Sequence, residues 1–108
     1  MPDHFIEVSE LAAFYIKLLS ERQKEIVQYY YFENLSLTEI AENLEISRNA
    51  VYDALQKAEK ALYGYEDKLH LVSNYRFRMA KYAELESSQD QQIIKIVNEL
   101  KNKEEDYE

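Results

Sequence analysis

Apolar residues along this chain recur at steps of three and four, in blocks separated by short polar breaks, and such spacing predicts helices. The first block is 5–19, with Val8, Leu11, Ala12, Tyr15, Leu18 and Leu19 on one face. Ser20 and Gln23 have the spacing of a capping box, so a second helix opens at Glu21 and runs to Asn34. Its inward positions are Gln23, Ile26, Val27, Tyr30 and Tyr31. The run Tyr29-Tyr30-Tyr31-Phe32 covers most of a turn and cannot all face one side. Either two rings fill the core and two lie at the rim, or the run is an aromatic patch for a partner.

The stretch from Ser36 to Leu62 organises the rest. Ser36 and Glu39 form a second capping box, and Leu37, Ile40, Ala41 and Leu44 share one face. Ala41 is small where a following helix must cross closely. Leu44-Glu45-Ile46 is a short turn, and Ser47 is the next N-cap. Val51, Ala54, Leu55 and Ala58 then make a new apolar face. Two short helices, a tight turn and these offsets read as a helix-turn-helix. The turn position that favours Gly is Glu45, where a left-handed backbone costs about 1 kcal/mol.

The helix that starts after Ser47 continues past Leu62. Val51, Leu55, Ala58, Leu62, Tyr65, Leu69 and Val72 alternate steps of four and three, a heptad seam. It must bury against a later helix or a second copy of the chain. Gly64 interrupts it, weakens the helix by about 1 kcal/mol relative to Ala and can mark a bend. Ser73 or Asn74 is the next expected cap. The following helix, 75–86, interleaves Arg76, Arg78 and Lys81 with Tyr75, Phe77 and Tyr82. It is either amphipathic, with Tyr75, Met79, Tyr82 and Ala83 inward, or a surface that stacks on bases and grips phosphate. Ser87 to Asp90 is a polar break, and Ile93, Ile94, Ile96, Val97 and Leu100 mark a last helix. The expected organisation is a helix-turn-helix domain over 1–72, a helical extension over 73–100 and a frayed acidic tail over 101–108.

Composition narrows the class. One Gly and one Pro in 108 residues leave little to build hairpins, so the fold is all-α. There is no run of about 20 apolar residues to span a membrane, no basic-then-apolar leader and no cysteine. The expected location is cytoplasmic. Net charge is −8, and 1–35, 36–63, 64–86 and 87–108 carry −3, −2, 0 and −3. No segment is net basic, so any contact with nucleic acid relies on a local patch, and the phosphate contribution to affinity is weak.

Candidate chemistry is sparse. His4 and His70 are the only histidines, and neither has metal-ligand spacing. One Gly cannot build a phosphate-cradling loop. We therefore expect no catalytic site, no metal and no cofactor. The outward side chains of the second motif helix are Arg48, Asn49, Tyr52, Asp53 and Gln56, with Lys57 and Lys60 beyond. Arg48 suits guanine, Asn49 and Gln56 suit adenine, and Lys57 and Lys60 can meet phosphate. Asp53 opposes phosphate.

The string SLTEIAENLEISRNAVYDALQKAEKAL resembles region 4 of bacterial sigma factors. The longer span from Phe14 to Leu71, with SRNAVYDAL and YEDKLHL as its most distinctive pieces, is similar to the YlxM-type family of small bacterial proteins. That resemblance implies an all-helical, wingless DNA-binding fold in a Firmicute-type cytoplasm. It also implies a link to the signal recognition particle, whose genes neighbour those of the family. Compared with sigma region 4, Arg48 is retained, while Ala50 and Tyr52 stand where Arg is usual. The expectation is a DNA-binding regulator that presents Arg48, Asn49, Tyr52, Gln56 and Lys57, acting as a homodimer joined by the seam and the C-terminal helices. The alternative is an accessory protein that binds a signal recognition particle component, protein or RNA.

Overall fold

The computed structural model describes residues 2–105 and is all-helical over them. Helix α1 spans Pro2–Tyr15 and ends in a tight 3-10 turn, Ile16–Leu18. Helix α2 spans Glu21–Val27 and widens into a π-helical turn, Gln28–Phe32. Helix α3 is Leu37–Leu44, α4 is Arg48–Leu69, α5 is Leu71–Glu86 and α6 is Gln91–Glu104. The chain divides into two compact units, Met1–Val72 and Ser73–Glu108.

In the first unit, α4 packs against α1, α2 and α3. Its stripe Val51, Leu55, Ala58 and Leu62 is buried among Val8, Leu11, Ala12 and Tyr15 of α1, Ile26 and Val27 of α2, and Ile40 and Ala41 of α3. The heptad seam is therefore filled within one chain over these positions. It does not continue to Leu69, which is 49% exposed, because the helix ends there with His70 in a left-handed conformation. Gly64 lies inside an unbroken α4.

Two departures from simple helical phase explain which side chains the periodicity misplaces. Leu18 is 53% exposed, because the chain tightens to three residues per turn after Tyr15 and turns extended at Leu19, which takes the core position instead. In the π turn the amide of Glu33 donates to the carbonyl of Gln28, five residues back. The inserted residue rotates the aromatic run: Tyr31 is buried, Tyr29 and Tyr30 are half-buried, and Phe32 is exposed. Gln23 is only half-buried because its side chain completes the capping box on Ser20.

The second break also differs from expectation. The joint is at His70, not at Ser73 or Asn74, because α5 is capped by side chains from elsewhere in the first unit. The amide of Leu71 donates to the Tyr15 hydroxyl (3.0 Å), and that of Val72 donates to the Glu66 carboxylate (2.9 Å). Tyr15 in turn donates to the same carboxylate oxygen at 2.6 Å.

The second unit is the α5–α6 hairpin. Arg78 makes a two-pronged ion pair with Glu104, and the Tyr82 hydroxyl donates to the same carboxylate at 2.9 Å. The bonds from Arg78 hold the Glu104 carboxyl below its ordinary value. This anchor keeps α6 helical through Lys101 and Lys103 to Glu104, where fraying was expected; 106–108 lie outside the described residues. Val97 is the buried side chain of α6. Tyr75, Met79 and Tyr82 are half-buried, while Ala83 is exposed.

The buried tyrosines of the first unit give it an alkaline limit. Burial, then a hydrogen bond with Glu7, pushes Tyr63 up to about 12, and burial with bonds to Glu59 and Glu66 raises Tyr31 and Tyr15. A raised pKa means that the folded state holds the proton more tightly. The resulting stabilisation is complete below the ordinary value of 10 and is lost as pH climbs from 10 toward 12. The urea midpoint should fall across that window, and Tyr63→Phe should make the fall shallower. A midpoint flat over the window in the parent chain would contradict the assignment.

Candidate nucleic-acid interface

The interface is built by local signals in series. Ser36 accepts from the amide of Glu39 while the Glu39 carboxylate accepts from the amide of Ser36, at 3.1 and 2.9 Å, and α3 starts there. These bonds, chiefly that from the Ser36 backbone, hold the Glu39 carboxyl below its ordinary value. Glu45 adopts the left-handed conformation (φ 57°), and the amide of Ile46 returns to the carbonyl of Ala41 at 3.1 Å. This is the six-to-one bond of a Schellman turn, closed without glycine. Leu44 and Ile46 pack against the core on either side of it. Ser47 then caps α4 by accepting from the amide of Ala50 at 3.0 Å.

That cap sets the position of the side chains expected to read DNA. Arg48 and Asn49 stand in the first turn of α4, and both are exposed. Asn49, Asp53, Gln56 and Lys60 follow at steps of four, three and four along the face away from the buried stripe. Tyr52 (49% exposed) and Lys57 flank them. Among the described residues, the side chains of Arg48, Asn49, Gln56, Lys57 and Lys60 are committed to no hydrogen bond or ion pair. All five side chains predicted to read DNA thus emerge near one end of one helix, with Asp53 in their midst.

The opposite flank of α4 is fixed by contacts that sequence patterning did not reveal. Glu59 accepts from the Tyr31 hydroxyl at 2.6 Å, and its other oxygen lies 3.1 Å from His4 Nε2. His4 stacks near Tyr63, with ring centres 6.5 Å apart. Glu66, seven residues beyond Glu59, holds Tyr15 as described. The only trace of this arrangement in the sequence is the seven-residue spacing of the two acids beside an apolar stripe. Their side-chain partners Tyr31, His4 and Tyr15 lie 28 to 55 residues away, beyond the reach of local pattern.

The field around the site is acidic. Glu42, Glu45 and Asp53 are exposed on or beside the motif. The basic stretch 76–81 adds less than its composition promises. Arg78 is engaged by Glu104, Arg76 has a partner of its own, and Lys81 pairs with Glu84 while lying over the Phe77 ring. No group of three or more metal-binding side chains occurs among the described residues, and no helix there is long and apolar enough to cross a membrane.

Comparison with known proteins agrees with this geometry. Residues 3–103 match the family model UPF0122, described as "Putative helix-turn-helix protein, YlxM / p13 like". The chain belongs to the UPF0122 family. The UPF0122 protein YofM of Lactococcus lactis is 42% identical over 101 residues, covering 92% of this chain and 91% of that one. A UPF0122 protein of Latilactobacillus sakei is 41% identical, covering 88% and 89%. One from Thermoanaerobacter sp. strain X514 is 39% identical, covering 93% and 92%. The UPF0122 match spans both compact units, so the hairpin is part of the family's chain length.

Ser47→Ala should cost about 1 kcal/mol of stability, since the first turn of α4 loses its cap. Urea unfolding measures this directly, and an unchanged midpoint would remove Ser47 from the positioning of Arg48 and Asn49.

Proposed function

We propose that this protein is a DNA-binding regulator that reads a major groove with the N-terminal half of α4. The observation that carries the reading is the uncommitted set Arg48, Asn49, Tyr52, Gln56 and Lys57 on a capped, core-backed helix of a helix-turn-helix. Arg48 donates to guanine, Asn49 and Gln56 pair with adenine, Tyr52 packs on base edges, and Lys57 meets phosphate. With few free cations against a net charge of −8, selectivity comes from base contacts more than from the backbone. The reading is of a binding protein in the cytoplasm, with no reaction and no cofactor.

A second reading has its own support. The first unit carries 7 Lys/Arg against 13 Asp/Glu, a net −6, and Phe32 is exposed beside half-buried Tyr29 and Tyr30. An acidic surface with an aromatic patch suits a basic partner, such as a signal recognition particle component. In that case the reading helix is an inherited scaffold.

Arg48→Ala separates the two. Under the DNA reading it lowers discrimination between target and unrelated DNA by about 1–3 kcal/mol. It leaves binding to particle components unchanged. A footprint identical to that of the parent chain would remove Arg48 from base reading.

A further inference from the structure

We infer, resting on the DNA reading proposed above, that Asp53 is the specificity-determining residue of the outward face of α4. It selects cytosine at one base pair and penalises the other bases there. Asp53 is the only acid between Arg48 and Ala58, the half of α4 that carries Arg48, Asn49, Tyr52, Gln56 and Lys57. At 100° per residue it stands about 170° from the centre of the buried stripe Val51, Leu55, Ala58 and Leu62. Within that half of the helix no side chain is aimed more squarely away from the core. Asn49 lies one turn before it and Lys57 one turn after, each about 6 Å along the axis and about 40° around it. Two other acids of the helix, Glu59 and Glu66, are held by Tyr31 and Tyr15. Asp53 is exposed, and among the described residues its carboxylate makes no hydrogen bond or ion pair. It is unpaired even with Lys57, four residues on, where a helix favours an Asp–Lys pair.

A carboxylate at that place discriminates by what it repels, since it only accepts hydrogen bonds. In the major groove guanine shows N7 and O6 and thymine shows O4, all acceptors, so both oppose it. Adenine offers its N6 amino group, but between two acceptors, its own N7 and the O4 of the paired thymine. Cytosine offers N4 with an acceptor on one side only, the O6 of the paired guanine. Cytosine is therefore the base that Asp53 meets most favourably. A groove closed on Asp53 without cytosine leaves a desolvated carboxylate unpaired. The residue thus widens the gap between right and wrong DNA by weakening the wrong complexes, which a chain with few free cations cannot do by phosphate contact.

Selection of binding sites by the full chain from a randomised duplex pool, followed by titration of the selected site, tests this. The parent chain should enrich a site with a cytosine whose replacement weakens binding about tenfold, within the roughly 5- to 150-fold that a wrong base pair costs. Asp53→Asn keeps the shape, removes the charge and adds a donor. It should move the preference at that base pair from cytosine to adenine, the base that an Asn amide pairs with, and tighten binding to unrelated duplex. Asp67→Asn removes the same charge on the same face of α4 about 21 Å further along, and should leave the selected site unchanged. If Asp53→Asn enriches the parent's site and tightens on every duplex by one factor, the carboxylate only repels phosphate and the proposal is overturned. An equal change of site in Asp67→Asn would overturn it too. A parent site that Arg48→Ala relaxes at one base pair, while Asp53→Asn alters none, overturns the role of Asp53 alone. A parent chain that enriches no site overturns the DNA reading, and the role of Asp53 with it.

Discussion

Everything the first unit presents to its surroundings depends on the burial of one stripe of α4. Val51, Leu55, Ala58 and Leu62 are each at most 5% exposed, locked among three helices. Burying a Val or Leu is worth about 1.5–3 kcal/mol, so the stripe fixes the rotation of α4 by several kcal/mol. A helix turned by one residue, 100°, would carry Asn49 and Gln56 off the outward face. The hydroxyls of Tyr31 and Tyr15, bonded to Glu59 and Glu66 two turns apart, add directional contacts to a core that is otherwise non-directional. Glu59 and Glu66 are thus acids with structural work on the helix proposed to face DNA.

This arrangement ranks the forces open to a binding function. The same acids that hold α4 contribute to a field that repels phosphate, and the chain places few uncommitted cations on the outward face of α4. The helix-turn-helix geometry is intact while its electrostatic support is thin. A protein so built gains little from non-specific attachment and relies on fit at base edges, or else it has turned the scaffold toward a basic partner.

Much of the fold was legible because its signals are local. The capping boxes at Ser20 and Ser36, the cap at Ser47 and the left-handed Glu45 each involve residues within three or four positions, and all occur as expected. Errors arose where the helical period itself changes. The 3-10 turn moved Leu18 outward, and the π turn buried Tyr31 as expected but left Tyr30, also expected inward, half-buried, since neither turn follows a period of 3.6. The α4–α5 joint was misplaced because its caps come from Tyr15, 56 residues from Leu71, and from Glu66. The last turn of α6 was missed for the same reason, since Arg78 and Tyr82 hold Glu104 from the other helix. The exposure of Arg48, Asn49, Tyr52, Gln56 and Lys57 was legible because exposure on a helix follows directly from the apolar stripe opposite.

The most direct test of a base-reading α4 is a pair of titrations at low and physiological salt, one with genomic promoter fragments and one with signal recognition particle RNA, with and without its protein. Each phosphate contact contributes about 0.9 to the slope of log affinity against log salt. With Arg48, Lys57 and Lys60 as the cations of the face, selective DNA binding should show a slope no steeper than about −3. Silence on DNA at both salts, together with binding to the particle, would contradict the account and leave the helix-turn-helix as a scaffold for a protein or RNA partner.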